Sequence, residues 1–357
     1  MNKNLLKILD GISKDDDTPT LVPEKTEVPV PTFKKHDRVL IIDGLNLFLR
    51  NFAVMNVVNE QGVHIGGLGG FLRSLGFLIN QINPTETYIV FDGIGSSTNR
   101  KNLLPEYKSN RNTGKLVNWE AFDNIDDEDD AKVNQISRLI HYLKCLPVKV
   151  ISMDKVEADD IIAHLSKLLS ENYNSKTFIV SSDKDFLQLV NKNITVYRPI
   201  EKEFFTPEKV KAKFEIPSEN FILYKTLMGD KSDKIPGVKG LGPGKLFKLF
   251  PELKTKIMTL DDIFDICEAK YKEHVIYSRI IFDKDVVLKN YKLMNLSNPM
   301  VDDNEKILIN ELIENLSPKL QSDAFLRLYN EDGLKHLVKD TPIWLRNTFK
   351  VLSSFNK

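Results

Sequence analysis

Short apolar runs alternate with longer amphipathic segments from residue 38 onwards. The runs are RVLIID, ETYIVFD, VKVISMD and TFIVSSD, and each of them ends in an acidic residue. Between them lie segments such as GGFLRSLGFLINQI and ADDIIAHLSKLLSE, whose apolar residues follow the spacing of a buried helical face. Because strands joined by helices form parallel sheets with helices on both faces, the pattern predicts an α/β fold with a mostly parallel central sheet.

The two ends of the chain depart from this alternation. The N-terminal segment is rich in Pro, Lys, Glu, Asp and Thr, which is typical of a disordered tail. Within it, MNKNLLKILDG has the pattern of a short amphipathic helix, which is either marginal on its own or a peptide that docks on a partner. Strand patterns fade near residue 217, and ILINELIENL and SDAFLRLYN later predict a small helical cap. The predicted divisions are a disordered tail at 1–37, a core at 38–217, a hairpin region at 218–298 and a C-terminal helical region at 299–357.

Composition places the chain among ordinary globular proteins. It has 357 residues, of which 41% are apolar and 28% charged, enough for about two or three domains. No apolar stretch reaches the length of a membrane span, and the N-terminus lacks the features of a signal peptide. Cys145 and Cys267 are too few for a disulfide framework or a cysteine-rich zinc site. We therefore expect a cytoplasmic protein that does not bind a membrane.

The net charge of zero hides a strongly uneven distribution. The chain has 50 basic and 50 acidic residues, yet NRKNLLPEYKSNRNTGK carries five basic residues against one acid. The following EAFDNIDDEDD carries seven acids and no base. A basic segment of this kind predicts a local phosphate-binding surface. The acidic run at 123–130 is interpreted either as a mobile, solvated loop or as a mimic of DNA.

Acidic residues also collect at one predicted edge of the sheet. Ligand sites of open α/β sheets lie outside the carboxyl ends of the strands. Three predicted strands end in or lead into acids, and the helix of VEADDIIAHL, which follows VKVIS, opens with three more. The residues concerned are Asp43, Asp92, Asp183, Asp185, Glu157, Asp159 and Asp160. We expect all of them to face the same crevice.

Such a group of carboxylates indicates a metal site. Carboxylates at one edge repel one another at neutral pH, and hard divalent cations with oxygen ligands remove that repulsion. Two ions can activate a water and stabilise the leaving oxygen of a phosphodiester. Any single acid at a strand end could instead be a turn or cap residue, and acids in a first helical turn complement the helix dipole.

A glycine-rich turn follows in KTLMGDKSDKIPGVKGLGPGKLFKLF. Its glycines would let backbone amides approach a phosphate, and a helix with two lysines comes next. The segment therefore predicts a helix-hairpin-helix that grips a nucleic-acid backbone without reading sequence. A tight turn between helices with solvated lysines is the alternative. The residues of interest are Asp230, Asp233, Gly237, Gly240, Gly242, Lys245 and Lys248.

These motifs together resemble the 5′ nuclease (flap endonuclease) superfamily, and most of all its phage members. The matching pieces are IIDGLN, VFDG, an R-x3-L-x3-YKSNR block, VEADDIIA, VSSDKDFLQL and GDKSDKIPGVKGLGPGK. They occur in the order of the family over about residues 38–250. A weaker match, KNYKLMNLSN at 289–298, resembles the strand that follows the hairpin region of the family.

The resemblance implies two Mg²⁺ or Mn²⁺ ions and assigns the acids to them. One ion would be held by Asp43, Asp92, Glu157, Asp159 and Asp160, and the other by Asp183, Asp185, Asp230 and Asp233. A neutral Asn is expected at the position of Asp159 in phage members, so this acid could be dispensable. The resemblance also implies that Asp43, Asp92, Asp160 and Asp183 act in catalysis. The resemblance also allows a K⁺ ion bound at the hairpin turn.

The basic segment matches the base of the helical arch of the family, predicted here at about 99–131. By this resemblance Lys108 and Arg111 contact the scissile phosphate and are catalytic, and Tyr107 stacks on a terminal base. Arg100 contacts phosphate or pairs with a nearby acid. His64, His141, His164 and His274 lie outside every motif and receive no catalytic role.

The implied function is a 5′ to 3′ exonuclease and flap endonuclease with ribonuclease H-like activity. Such an enzyme removes RNA primers and 5′ flaps from duplex DNA during replication. We expect a free-standing, monomeric, phage-encoded protein in the host cytoplasm. Its substrates would be duplexes with a 5′ flap, a nick or an RNA primer. A single-strand-binding protein or a sliding clamp is a candidate partner, reached through residues 1–37 or the terminal FKVLSSFNK.

Three other interpretations stay open. A PIN-type ribonuclease that cleaves single-stranded RNA would share the fold, but the glycine hairpin argues for duplex DNA. A structure-specific DNA-binding protein without catalysis would not need the full set of acids together with Lys108 and Arg111. A nuclease module that accompanies a polymerase would require a polymerase-sized remainder, which this sequence lacks.

Overall fold

The computed structural model describes residues 34–110 and 114–355. The segment MNKNLLKILDG, almost all of the predicted tail, and Arg111 lie outside the described residues. All described residues belong to one compact unit. Among them, no helix combines the length and the apolar character that crossing a bilayer would require.

A six-stranded sheet forms the centre of the described chain. Its strands are β1 Arg38–Asp43, β2 Glu86–Asp92, β3 Lys149–Met153, β4 Lys176–Val180, β5 Ile194–Arg198 and β6 Glu203–Phe205. They lie in the order β3-β2-β1-β4-β5-β6, and only the β5–β6 pair is antiparallel. The predicted mostly parallel sheet is therefore confirmed. Its last two strands were not predicted, because ITVYR and EFF are short and lack a terminal acid.

The described residues also contain fifteen α-helices. They are α1 Gly44–Val54, α2 Gly66–Ile82, α3 Thr98–Leu103, α4 Ile125–Lys144, α5 Ala158–Asn172, α6 Pro207–Phe214, α7 Phe221–Met228, α8 Pro243–Leu249, α9 Leu260–Ala269, α10 Val275–Phe282, α11 Lys284–Met294, α12 Asp303–Asn315, α13 Ser322–Glu331, α14 Thr341–Thr348 and α15 Lys350–Phe355.

Apolar cores lie on both faces of the sheet because successive strand residues point to opposite sides. Ile41 of β1 belongs to one core together with Ile161 and Leu165 of α5. Its neighbour Ile42 belongs to a second core together with Phe48 of α1. The register brings the carboxyl ends of β1, β2 and β4 to the same edge, as the strand pattern predicts.

The C-terminal helices contribute to both cores. Ile309 of α12 lies in the core on the α5 side. Phe325 of α13 and Leu345 of α14 lie in the other core. Helix α14 packs so closely on α2 that a Cβ at Gly76 would come within 2.7 Å of Trp344. These helices therefore complete the fold around the sheet, and the division at residue 299 stays a prediction.

The acidic run is a helix N-terminus, so its interpretation as a mobile, solvated loop is wrong. Helix α4 begins after Asn124, whose side chain accepts the backbone N–H of Asp127. Acids in the first turn complement the positive end of the helix dipole. Glu128 is fully buried and accepts the backbone N–H groups of Val117 and Asn118 at 2.8 and 2.6 Å. The run thus fixes the loop that precedes the helix.

The strand expected in 289–298 is also wrong. Residues 289–294 belong to α11, and Val287, Asn290 and Leu293 are its buried face. The spacing of these three residues is helical, and the length of KNYKLMNLSN alone did not distinguish a helix from a strand.

Candidate metal centre and nucleic-acid interface

Asp43 is the acid at the centre of the carboxyl edge of the sheet. It ends β1 and caps α1, where it accepts the backbone N–H of Asn46 at 3.1 Å. The hydroxyl of Ser181, just beyond β4, donates to its other oxygen at 2.9 Å. Burial raises the pKa of Asp43 to about 7, and repulsion from Asp183 and Asp92 adds to the rise. A carboxylate in this position needs a nearby positive charge to remain ionised.

Asp159 faces the same group of acids. Its pKa is raised well above the ordinary value, first by burial and then by repulsion from Asp183 and Asp43. Asp92, at the end of β2, accepts the backbone N–H of Ala158 at 2.8 Å and thereby ties the start of α5 to the sheet edge. Asp43, Asp92 and Asp183 therefore lie at the same edge of the sheet, as predicted for the strand-end acids, and Asp159 of α5 is close enough to be repelled by two of them.

We call Asp92, Asp43, Asp159 and Asp183 the carboxylate row. This row continues towards the hairpin through Asp185. Burial raises the pKa of Asp185 to about 7, and repulsion from Asp183 contributes further. The ammonium of Lys225 lies 2.7 Å from Asp185 and 2.5 Å from Asp230. Asp230 also accepts the hydroxyl and the backbone N–H of Ser232, and its pKa is lowered to about 2 by Lys225 and Ser232 despite partial burial.

Glu157 accepts hydrogen bonds from two residues at the base of the predicted arch. The side chain of Lys108 donates to it at 2.9 Å and the hydroxyl of Tyr107 at 3.0 Å. Tyr107 is buried, with 3% of its surface exposed. The expectation that Tyr107 stacks on a terminal base is therefore wrong for this conformation, because its ring is enclosed and its hydroxyl is used by Glu157.

Asp160 is turned away from the carboxylate row. Both of its oxygens accept from the guanidinium of Arg100, with Nη2 to Oδ1 at 3.0 Å, and the backbone N–H of Met300 donates to Oδ1 at 2.9 Å. Arg100 is buried and also lies 3.1 Å from Glu157. Of the two roles considered for Arg100, the structure shows the pairing with acids. Placing Asp160 among the catalytic metal ligands does not agree with this geometry.

Helical geometry explains why the neighbours Asp159 and Asp160 differ. Successive residues of a helix point about 100° apart, so only one of the two can face the sheet edge. Glu157 occupies the N-cap position of α5 but makes no capping hydrogen bond with its side chain. Glu157 is therefore not a simple helix cap. Its carboxylate accepts hydrogen bonds from Lys108 and Tyr107 and forms an ion pair with Arg100.

The donor set fits a hard divalent cation in its chemistry. The row offers carboxylate oxygens, without a cysteine or histidine, which suits Mg²⁺ or Mn²⁺. In the described part of the chain, however, no three acidic, histidine or cysteine side chains converge so as to hold one ion. Glu157 and Asp185 are instead held by Lys108 and Lys225. Binding an ion would therefore require these side chains to turn.

The predicted hairpin lies between α7 and α8. A Cβ at Gly237 would come 2.1 Å from the carbonyl oxygen of Met228, so only glycine fits there. Gly240 has a φ of +81°, a left-handed conformation that glycine adopts freely. Lys245 and Lys248 are exposed on α8, and Lys245 donates to the carbonyl of Gly240 at 3.1 Å.

Comparison with known proteins identifies the family. The model of the 5′-3′ exonuclease N-terminal, resolvase-like domain matches residues 38–215. A 5′-3′ exonuclease of Buchnera aphidicola subsp. Schizaphis graminum is 31% identical over 264 residues, which cover 73% of this chain and 83% of the relative. The chain belongs to the 5′-3′ exonuclease family. The nuclease class predicted from the motifs is thereby confirmed.

Members of the 5′-3′ exonuclease family also occur within polymerases. DNA polymerase I of Borreliella burgdorferi is 31% identical over 305 residues, which cover 83% of this chain but 31% of the polymerase. The chain thus spans about a third of that relative. The sequence relatives named here are bacterial, and a phage origin stays a prediction.

Solved structures show the same fold. The flap endonuclease of bacteriophage T5, in a complex with DNA and metal ions, aligns with a TM-score of 0.59 at 18% identity. The alignment covers 82% of this chain and 97% of the phage protein. The T5 5′-exonuclease with bound divalent metal ions (zinc) also aligns with a TM-score of 0.59, over 84% of this chain.

The sequence analysis did not predict several residues that contact these acids. Ser181 and Asn46 hold Asp43, and Lys225 joins Asp185 to Asp230. Lys225 did leave a signal, because it is the single charged residue in the apolar helix FILYKTLM. The backbone carbonyl of Asp233 accepts the backbone N–H of Lys108 at 3.1 Å and thereby joins the two segments.

Proposed function

We propose that the chain is a divalent-metal-dependent 5′ to 3′ nuclease that removes 5′ flaps and RNA primers from duplex DNA during replication. The observation that carries the proposal is the row of carboxylates along the carboxyl edge of the sheet, with Lys108 beside it. The row consists of Asp92, Asp43, Asp159, Asp183 and Asp185. Lys225 links its last member to Asp230. Repulsion within this row would be relieved by cations, and cations bound there would in turn attract a phosphodiester.

The acids would divide between two Mg²⁺ or Mn²⁺ ions. Asp43, Asp92, Glu157 and Asp159 would hold one ion, and Asp183, Asp185, Asp230 and Asp233 the other. When bound, such ions supply an activated water and stabilise the leaving oxygen. Asp160 leaves the ligand set in this proposal, and its role becomes that of holding Arg100 at the base of the arch segment.

Lys108 would act on the phosphate itself. Its ammonium lies 2.9 Å from Glu157 and 14% of its side chain is exposed, so it stands at the boundary between the acids and solvent. A cation in such a water-poor position stabilises the negative charge that develops on a phosphoryl oxygen. Arg111, which lies outside the described residues, would supply a second positive charge to the phosphate.

The hairpin would hold the duplex. Glycine positions allow a close approach of the backbone to phosphate, and Lys245 and Lys248 add charge that does not depend on sequence. The proposal further includes a K⁺ ion at the turn and a monomeric state. A clamp or a single-strand-binding protein would bind at residues 1–37 or at the terminal FKVLSSFNK.

The direct test is cleavage of 5′-labelled flap, nicked and RNA-primed duplexes with Mg²⁺ and with chelator, sized on a gel. We expect cleavage of all three with Mg²⁺ and none with chelator. Short products from every substrate would indicate exonuclease action, and products of flap length would indicate endonuclease action. Asp183→Asn should abolish cleavage while flap binding persists, whereas Asp261→Asn, at an exposed acid of α9, should cleave at the normal rate.

Two results would overturn the proposal in favour of a rival. Cleavage of single-stranded RNA with no activity on flapped duplexes would favour a PIN-type ribonuclease. Tight flap binding without Mg²⁺-dependent cleavage of any substrate would favour a DNA-binding protein that lacks catalysis.

A further inference from the structure

Lys225 occupies an unusual position for a lysine. It lies on α7, with 12% of its side chain exposed, and its ammonium touches carboxylates on two different segments, Asp185 after β4 and Asp230 after α7. Burial lowers the pKa of Lys225, but attraction to the two acids outweighs burial and raises the pKa above its ordinary value. The lysine is therefore a fixed positive charge at this end of the carboxylate row.

Local structure explains how the ammonium reaches both acids. Helix α7 ends at Gly229, whose φ of +69° turns the chain and whose backbone N–H donates to the carbonyl of Lys225 at 2.8 Å. This turn brings Asp230 back beside Lys225. Leu223 and Leu227 are buried in the core and fix the rotation of α7, so that Lys225 points towards the acids.

The two ends of the row differ in what neutralises them. The hydrogen bonds that Asp43 accepts within the described residues come from Asn46 and Ser181, which carry no charge. Asp185 and Asp230 share an ammonium instead. A divalent ion that binds Asp185 and Asp230 must compete with this ammonium for two of its ligands. At the other end the cations Lys108 and Arg100 contact Glu157, so an ion at Asp43 would compete with cations for one of its ligands.

We infer that Lys225 is a built-in competitor for the second divalent ion, so that the chain binds one ion tightly and the other weakly until Lys225 moves away. The inference rests on the proposed function, because it takes Asp185 and Asp230 as ligands of that ion. An incoming phosphate offers the displaced ammonium a new anionic partner. Arrival of DNA and binding of the second ion would thereby be coupled through one side chain.

The experiment counts Mn²⁺ ions on the full chain without DNA, by titration calorimetry and by the electron paramagnetic resonance of free Mn²⁺. Wild type should show one tight and one weak class of site. Lys225→Met removes the charge but keeps the length of the side chain, and it should tighten the weak class by about tenfold or more. Lys225→Arg keeps the charge and should resemble wild type. Lys211→Met, at an exposed lysine of α6, is the matched control and should leave both classes unchanged.

A second readout covers the case in which Lys225→Met unfolds without metal. Ligands that bind only the folded state raise Tm, and tighter binding raises it further. Saturating Mn²⁺ should therefore raise the Tm of Lys225→Gln by more than that of wild type. The inference would be overturned if the Mn²⁺ affinity of the weak class is unchanged in Lys225→Met. It would also be overturned if Lys225→Met or Lys225→Gln loses a site.

The outcomes also separate this inference from the proposed function. If wild type binds no Mn²⁺ and cleaves no flapped duplex, the proposed function itself fails. If wild type cleaves with Mg²⁺ but the Lys225 variants bind Mn²⁺ as wild type does, the inference alone fails.

Discussion

At the scale of single residues, the two neighbouring acids of α5 have opposite surroundings. Asp160 is buried against the cation Arg100, whereas Asp159 is partly exposed and is repelled by the acids Asp183 and Asp43. The first contact stabilises a carboxylate and the second destabilises it. The same substitution at the two positions should therefore have opposite consequences.

Asp160→Asn should destabilise the fold, and Asp159→Asn should not. Breaking one partner of a buried ion pair costs about 3–5 kcal/mol, and Arg100 keeps Glu157 as a partner, so we expect about 3 kcal/mol for Asp160→Asn. The raised pKa of Asp159 means that its ionisation at neutral pH is harder in the folded chain than in the unfolded chain. Its ionised form therefore lowers stability, and Asn at this position should leave stability unchanged or raise it.

Urea unfolding in the presence of chelator measures both variants at pH 7. Mn²⁺ titrations should show the opposite ranking of the two variants. Asp159→Asn should lose Mn²⁺ affinity, and Asp160→Asn should retain it. Equal loss of stability in the two variants would mean that Asp159 also has a stabilising partner.

Lys108 combines a functional position with a strained backbone. Its φ is +54°, a left-handed conformation that costs about 1–3 kcal/mol for a residue with a side chain. The surroundings hold it there through the backbone bond to Asp233 and the ion pair with Glu157. Strain of this kind is often retained where a side chain must be aimed.

Lys108→Ala should slow the chemical step more than it weakens flap binding. Removing one donor that stabilises charge in a transition state typically costs about 10²–10³ in rate. Single-turnover cleavage and flap affinity separate the two effects, and Lys108→Arg, which keeps the charge, should recover part of the rate. If rate and affinity fall equally in Lys108→Ala, the lysine is only a phosphate anchor.

At the scale of elements, the start of α4 shows that an acidic run can have a structural purpose. Glu128 is buried and fixes the loop before the helix through the amides of Val117 and Asn118, while Lys132 balances its charge at 3.0 Å. Asp129, the next residue, is exposed. One acid of the run therefore orders the loop, and its neighbour can serve as a control.

Glu128→Ala should loosen the loop at 114–124. The buried amide of Asn118 would lose its acceptor at a cost of about 1–3 kcal/mol, and the loop would open to regain contact with water. Hydrogen exchange followed by mass spectrometry should show faster exchange in 114–124 for Glu128→Ala and no change for Asp129→Ala. Unchanged exchange in Glu128→Ala would mean that the loop is held by other contacts.

The elements also show what the sequence could and could not predict. Asp43 and Asp92 end β1 and β2 as the apolar runs predict, and the parallel arrangement of the strands brings these ends to one edge of the sheet. Which of Asp159 and Asp160 faces the row depends on the rotation of α5, and that rotation is set by packing against the sheet. The contacts of Lys225 and Tyr107 join distant segments, so no local pattern could predict them. Mutual repulsion among acids predicts that cations are needed, but not which side chains supply them.

At the scale of the whole molecule, the C-terminal helices are part of the fold that carries the site. Phe325 of α13 is completely buried and packs edge-on against Tyr142 of α4, with 5.0 Å between the ring centroids. The side chain of Arg138 of α4 donates to Asp332, beyond α13, at 2.7 Å. Helix α4 in turn leads from the loop at 114–124 to β3, so the C-terminal helices support an element that joins the central sheet.

Phe325→Ala should therefore destabilise the entire described chain and not only its C-terminal helices. Truncation of a buried Phe costs about 3–5 kcal/mol, whereas Phe282→Ala, at a Phe that is 88% exposed, should cost less than about 0.5 kcal/mol. Urea unfolding followed by far-ultraviolet circular dichroism reports on all helices, and tryptophan fluorescence reports mainly on Trp344, because Trp119 is 73% exposed. The two signals should change together in wild type and in both variants, as they do when a protein unfolds as one cooperative unit. If fluorescence changes at lower urea than circular dichroism, the C-terminal helices unfold independently, and the nuclease core should then retain its Mn²⁺ affinity in Phe325→Ala.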